Sequence, residues 1–205
     1  MKMHAGECCK FSVNHLEQII HLTVHLISFS LQNDVWLMST LTKHEIAFEM
    51  KKLGTESLKC KNYLIAAEKY GLALKLLLCC ECVHTDKAQM DLIIQIRLNL
   101  SLCFMKINVP EGVLHHCNSV LGHQNWPKDF SDQSFEDYSY LIKVLYRRAW
   151  ALCQINEFAM CKEDVSKILK YDPENKEAVQ LASHLDSKIK QSDRVMSNNL
   201  RNMFR

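Results

Sequence analysis

Two cations four residues apart, Lys143 and Arg147, stand in the stretch LIKVLYRRAWALCQINEF. Its apolar residues recur every three or four positions, the spacing of a helix packed against neighbours. Residues four apart on a helix share one face. The pair is therefore either a solvated stripe or a device aimed at an anion. An ammonium beside a planar guanidinium fork suits a ligand rich in carboxylates. Two other groups have residue types that could do chemistry. Cys79, Cys82 and His84 in CCECVH are metal-ligand types, but a zinc site needs four ligands, typically in two separated pairs. No second pair follows at a suitable spacing, and His115, His116 and Cys117 belong to another segment. HLTVH, His21 to His25, has the spacing of a zinc-protease helix without the glutamate that would serve as general base. No Ser-His-Asp or Cys-His spacing and no glycine-rich phosphate loop occurs. The expectation is a chain with no metal, no cofactor and no enzymatic activity.

The elements that must position these residues are helices. The chain has 205 residues, enough for one sizeable core, with 48% apolar and 23% charged residues. With only 5 Gly and 3 Pro, it lacks the turn residues an all-β chain needs. Leu, Ala, Lys, Glu and Met fill long stretches, which makes the predicted class all-α. A net charge of +2 is too small for nucleic-acid binding by bulk electrostatics. Ten cysteines invite a disulfide framework, but Cys103, Cys117, Cys153 and Cys161 fall on apolar faces where Ala or Val would serve. A reduced, cytoplasmic protein is expected. FSVNHLEQIIHLTVHLISFSL is apolar yet carries Glu17, Gln18, His21 and His25, too polar for a membrane span, and it lacks the pattern of a signal peptide. Residues 1–41 are read as a weakly ordered or partly helical extension, with a polar lead-in to a helix from Met38.

Self-similarity organises the remainder. From each of three small residues, Gly54, Ser101 and Ala149, the next apolar marks fall twelve, sixteen and nineteen positions on. These marks are Ala66, Tyr70 and Ala73, then Val113, Cys117 and Val120, then Cys161, Val165 and Ile168. Such a unit is two helices brought close by a small residue, with turn signals at Lys61-Asn62, at Asn108 with Pro110, and at Asn156. Three units are expected, at about 46–80, 93–122 and 142–175, within a region 42–175. Two insertions separate them. One reads as two lengthened helices meeting near His84-Thr85-Asp86, the other as a loop with a helix starting near Ser134. Residues 176–205 read as one long helix with an apolar stripe of Leu181, Leu185, Ile189, Met196, Leu200 and Phe204, broken near Ser192-Asp193.

EMKKLGTESLKCKNYLIAAEKYGLAL, with Leu-Gly followed by Ala, aromatic and Ala, resembles the tetratricopeptide repeat. Met50 and Ser57 replace the usual Trp and Tyr, and the markers are 47 and 48 apart against a family period of about 34. The resemblance, over about residues 45–204, is closest to the co-chaperone type found in large immunophilins. It implies a right-handed solenoid with a long C-terminal capping helix, whose first helices line a concave groove. It also implies a carboxylate clamp of Lys51, Thr55, Asn99, Lys143 and Arg147 that binds the C-terminal Glu-Glu-Val-Asp of heat-shock protein 90 or 70. Lys51 and Asn99 would hold the terminal carboxylate with Thr55 beside them, and Lys143 and Arg147 the Asp side chain. Thr55 stands where the pattern usually has Asn. The leader is too short for the isomerase domain of those proteins, so no isomerase activity is implied. The alternative is a repeat scaffold that binds another partner through the groove or the C-terminal helix. That helix, with Lys188, Lys190, Arg194, Arg201 and Arg205, could take a client or calmodulin. No nucleic-acid or membrane partner is expected.

Overall fold

The structure is a computed structural model describing residues 8–15, 18–25, 35–80, 87–122 and 135–203. The chain divides into two compact units, Met1–Met38 and Ser39–Arg205.

The first unit holds an antiparallel hairpin, β1 (Cys8–His15) and β2 (Gln18–His25), and a short 3-10 turn at Val35–Leu37. This corrects the expectation of a partly helical extension. The alternation was present in the sequence, with Lys10, Ser12 and Asn14 between apolar residues and His21, Thr23 and His25 between Ile20, Leu22 and Val24. Period-two patterning with β-branched residues makes a strand rather than a helix. The polar residues pair across the strands, Ser12 with His21 at 2.9 Å and the Cys8 sulfur with His25 at 3.5 Å. His21 and His25 thus lie on a strand, not on a protease-type helix.

The second unit is helical: α1 (Thr40–Lys59), α2 (Tyr63–Leu78), α3 (Lys87–Lys106), α4 (Pro110–Leu121), α5 (Phe135–Gln154), α6 (Phe158–Tyr171) and α7 (Lys176–Met203). Each packs against the next in chain order, and α5 also touches α3 and α7. Three-residue turns join α1 to α2, α3 to α4 and α5 to α6. Each turn holds one residue at positive φ: Lys61 at 61°, Asn108 at 58° and Asn156 at 65°. All three lie seven positions after the small residue of their unit, so the repeat extends to the backbone conformation. The first helix of each pair starts six or seven residues before the bound expected for its unit and runs for 20 residues, with α5 starting at Phe135 beside the start expected near Ser134. The added length between markers therefore lies partly in these helices. Residues 81–86 and 123–134, which include Cys82, His84 and the expected loop, lie outside the described residues.

Local chemistry sets several helix ends. The Ser39 hydroxyl accepts from the Thr42 amide at 3.1 Å, an N-cap. Carbonyls at helix C-termini are reached from neighbouring helices. Lys43 of α1 donates to Cys79 at 3.2 Å, Gln89 of α3 to Leu77 at 3.1 Å, and Lys188 of α7 to Cys153 at 3.0 Å. These bonds satisfy orphan acceptors and favour cations at the negative end of the helix dipole. Lys188 is thus a packing residue rather than part of a free basic face. The nine repeat marks are all buried, between 0% and 4% exposed. Cys103, Cys117, Cys153 and Cys161 are buried free thiols. Burial pushes Cys103 and Cys117 up to about 11 and Cys161 up to about 12, so they behave as small hydrophobes.

The small-residue marker has a direct cause in the first pair. A Cβ at Gly54 would lie 3.0 Å from the Tyr70 ring. Gly54→Ala therefore forces the buried ring or the α1–α2 spacing to give. A loss of about 1–3 kcal/mol is expected, read by urea unfolding; an unchanged midpoint would contradict the close approach.

α7 is continuous through Ser192 and Asp193, so the expected break lies in its packing and not in its backbone. Leu181 and Leu185 are buried and Ile189 packs beside them. Beyond, Val195, Met196 and Leu200 are 53%, 65% and 48% exposed. No helix among the described residues is long and apolar enough to cross a membrane.

Candidate functional site

The first helices α1, α3 and α5 carry all five expected site residues, and Lys51 and Arg147 both reach α3. Lys51 leaves α1 and donates from Nζ to the Gln95 side-chain oxygen on α3 at 2.8 Å. Arg147 leaves α5 and donates from Nη1 to the Leu98 carbonyl of α3 and to the Ser101 hydroxyl, the latter at 3.2 Å. Asn99 lies on α3 between these two anchor points, four residues after Gln95 and on the same face.

Thr55 is in contact with a residue of the second helix. The Thr55 hydroxyl donates to the Lys51 carbonyl at 2.9 Å and lies 3.0 Å from the Tyr70 hydroxyl. Lys143 is exposed, one turn before Arg147, with its ammonium 5.5 Å from the centre of the Tyr140 ring. Nothing ties Lys143 to the other four directly; it shares only the Arg147 face.

The electrostatics of the two anchored cations are alike. Burial pushes Lys51 below its ordinary range, and burial is also the largest cause of the lowered Arg147. Cys117, Cys103 and Glu177 act on Arg147 in the opposite direction, more weakly. Both cations are bonded to neutral acceptors: an amide, a peptide carbonyl and a hydroxyl. Among the described residues, neither has a carboxylate within ion-pair distance. A partly desolvated cation without a counter-charge is an unfavourable arrangement that a bound carboxylate would relieve.

Arg148, the next residue along, does something else. It grips Asp164 of α6 with a two-pronged contact, Nε to Oδ2 at 2.7 Å and Nη2 to Oδ1 at 2.6 Å, and reaches Asn118 of α4 at 3.4 Å. It ties three helices together and takes no part in the groove. The sequence reading missed Gln95 and Tyr70. The four-residue spacing of Gln95 and Asn99 was a signal for the first. Tyr70 was visible only as a core mark of the repeat.

Comparisons with known proteins bear on the fold. No family model matches the chain. It is 27% identical over 183 residues to the human FK506-binding protein-like protein, covering 87% of this chain and 46% of that protein. The chain spans about half the length of the curated relatives it matches. Among solved structures, it resembles the C-terminal TPR-containing domain of a putative FK506-binding protein from Plasmodium falciparum. That match has a TM-score of 0.61 at 21% identity and covers 78% of this chain and 99% of the other. It also resembles the first TPR of Spaghetti (RPAP3), solved bound to the HSP90 peptide SRMEEVD. There the TM-score is 0.51 at 14% identity, covering 72% of this chain and 95% of the other. The second unit of this chain therefore has the helical solenoid fold of tetratricopeptide-repeat domains.

Proposed function

We propose that this chain is a non-enzymatic co-chaperone adaptor of the cytoplasm. Its groove binds the C-terminal Glu-Glu-Val-Asp peptide of heat-shock protein 90 or 70. The observation that carries this reading is the pair Lys51 and Arg147, partly buried cations from α1 and α5 whose hydrogen-bond partners among the described residues are neutral. A peptide ending in Asp brings two carboxylates close together, one for each side of α3. Lys51 and Asn99 take the terminal carboxylate. Arg147, with the more exposed Lys143, takes the Asp side chain. Charge-assisted hydrogen bonds contribute about 1.5–3 kcal/mol each, enough for several to hold a short peptide at micromolar strength. The peptide-bound structure of the Spaghetti domain, whose fold this chain shares, is in keeping with this use of the groove.

The test is a calorimetric titration with Met-Glu-Glu-Val-Asp. The free acid is expected to bind at least about tenfold more tightly than the amidated peptide, and Lys51→Ala and Arg147→Ala are expected to remove that difference. Equal binding of acid and amide, or no binding of the acid, overturns the reading. A second reading is a scaffold that engages another protein through α7, favoured by its uncovered Val195, Met196 and Leu200. It predicts capture of partners that the groove substitutions leave unchanged.

A further inference from the structure

Lys51 is held from the neighbouring first helix. Its ammonium donates to the Gln95 side-chain oxygen at 2.8 Å. An ammonium only donates, so the oxygen of Gln95, and not its NH2, must face it. The bond joins α1 to α3, and both side chains are half-buried. Gln95 thus supplies a hydrogen bond without supplying a charge. The positions three and four away from Lys51 on its own helix are equally neutral: Ala47, Phe48, Gly54 and Thr55. An ammonium has three N–H groups. With one on Gln95, the other two are uncommitted among the described residues. Arg147 is treated in the same way. Its Nη1 donates to the Leu98 carbonyl and to the Ser101 hydroxyl, and Ser101 gives its own proton to that carbonyl at 2.7 Å. Each cation reaching α3 therefore rests on neutral acceptors.

We propose that Gln95 is a positioning residue of the groove, whose side-chain oxygen holds the Lys51 ammonium in place for an incoming carboxylate while leaving its charge uncompensated. This rests on the groove reading above and adds a residue to it. A lysine side chain has many rotamers, and immobilising it on binding lowers affinity. The bond to Gln95 restricts Lys51 before any peptide arrives. The residue type matters as much as the position. Glutamate has the same shape, but it would give Lys51 a permanent counter-charge with which a peptide carboxylate would have to compete. An apolar side chain would release the ammonium to water. Glutamine holds the cation and does not neutralise it.

The experiment uses the whole chain with Gln95→Met, which keeps the length and removes the acceptor, and Gln95→Glu, which keeps the shape and adds a charge. In the free protein, carbon relaxation at the Lys51 Cε methylene is expected to show a more mobile side chain in Gln95→Met. In titrations, Gln95→Met is expected to bind free-acid Met-Glu-Glu-Val-Asp about fivefold more weakly, with binding of the amidated peptide unchanged. Gln95→Glu is expected to lose the preference for the free acid. In a Lys51→Ala background, Gln95→Met is expected to have no further effect, because Gln95 acts through the ammonium. Equal or tighter binding of the free acid by Gln95→Met would make Gln95 a competitor that the peptide displaces, and overturns the proposal. Weakening of both peptides alike would mark a purely structural role and overturn it too. So would an added loss in the Lys51→Ala background, which would make Gln95 a direct ligand. Should Gln95→Met not fold, Gln95→Glu carries the test, and an undiminished preference for the free acid overturns the proposal. If the unaltered protein shows no such preference, the groove reading fails. The Lys51 relaxation then decides the positioning role by itself, and unchanged mobility overturns it.

Discussion

Replacing Arg148 with Ala is expected to destabilise the helical unit by about 3–5 kcal/mol, the largest effect of any single substitution considered. Asp164 is 1% exposed, and Arg148 supplies both of its charge-assisted bonds, at 2.7 and 2.6 Å. Removing the guanidinium leaves a carboxylate in the core with neither water nor counter-charge. Urea unfolding of Arg148→Ala measures the loss. The double variant Arg148→Ala/Asp164→Ala should recover part of it, because the stranded charge has then been removed. Arg148→Lys should lose stability as well, since an ammonium cannot reproduce the planar fork. Losses that simply add in the double variant would contradict a buried pair. Peptide binding by any folded Arg148 variant should remain intact, because this arginine faces α4 and α6 rather than the groove.

The second large effect is a dependence of stability on pH that comes from His116. This ring is 9% exposed on α4, stacked on Phe104 of α3 with centroids 5.5 Å apart, and its Nδ1 has no hydrogen-bond partner among the described residues. Burial lowers it to about 4, with His115 and Arg97 also opposing a positive charge. His115 lies edge-on at 4.9 Å. The unfolded chain takes up a proton at this histidine below about pH 6.5, whereas the folded protein resists doing so until about pH 4. Between those values the unfolded state binds more protons, so stability rises with pH across the window and is complete above it. Acidification from neutral pH to pH 4 should cost about 3 kcal/mol through this group. Carboxylates titrate in the lower part of the window, so the measurement is the difference between the parent and His116→Leu. The parent should show the steeper fall between pH 6.5 and 4.5, and parallel curves would refute the assignment.

The repeat was legible because it is a packing pattern. Gly54, Ser101 and Ala149, with the three marks after each, are spaced as close-packed helix pairs require, and all nine marks proved buried. The turns could be read for the same reason: Asn108 and Asn156 tolerate positive φ, and Lys61 adopts it by position rather than by type. The hairpin at Cys8–His25 was equally present, as alternation, but its apolar content was read before its period. The resemblance picked out the five candidate positions, and the repeat spacing could place them on first helices. What each of them does there could not be read that way. Arg147 and Arg148 are neighbours of one type, and about 100° of helix rotation sends one to a carbonyl of α3 and the other to Asp164 of α6.

The sequence by itself determined that this protein is a stack of paired helices, and which face of each first helix is shared, because helical period and the size of contact residues are local properties. Only the tertiary structure decided which cations lack a counter-charge among the described residues and that Lys51 and Arg147 both reach α3. Those outcomes depend on atoms contributed by helices far apart in the chain, and no spacing along one helix encodes them.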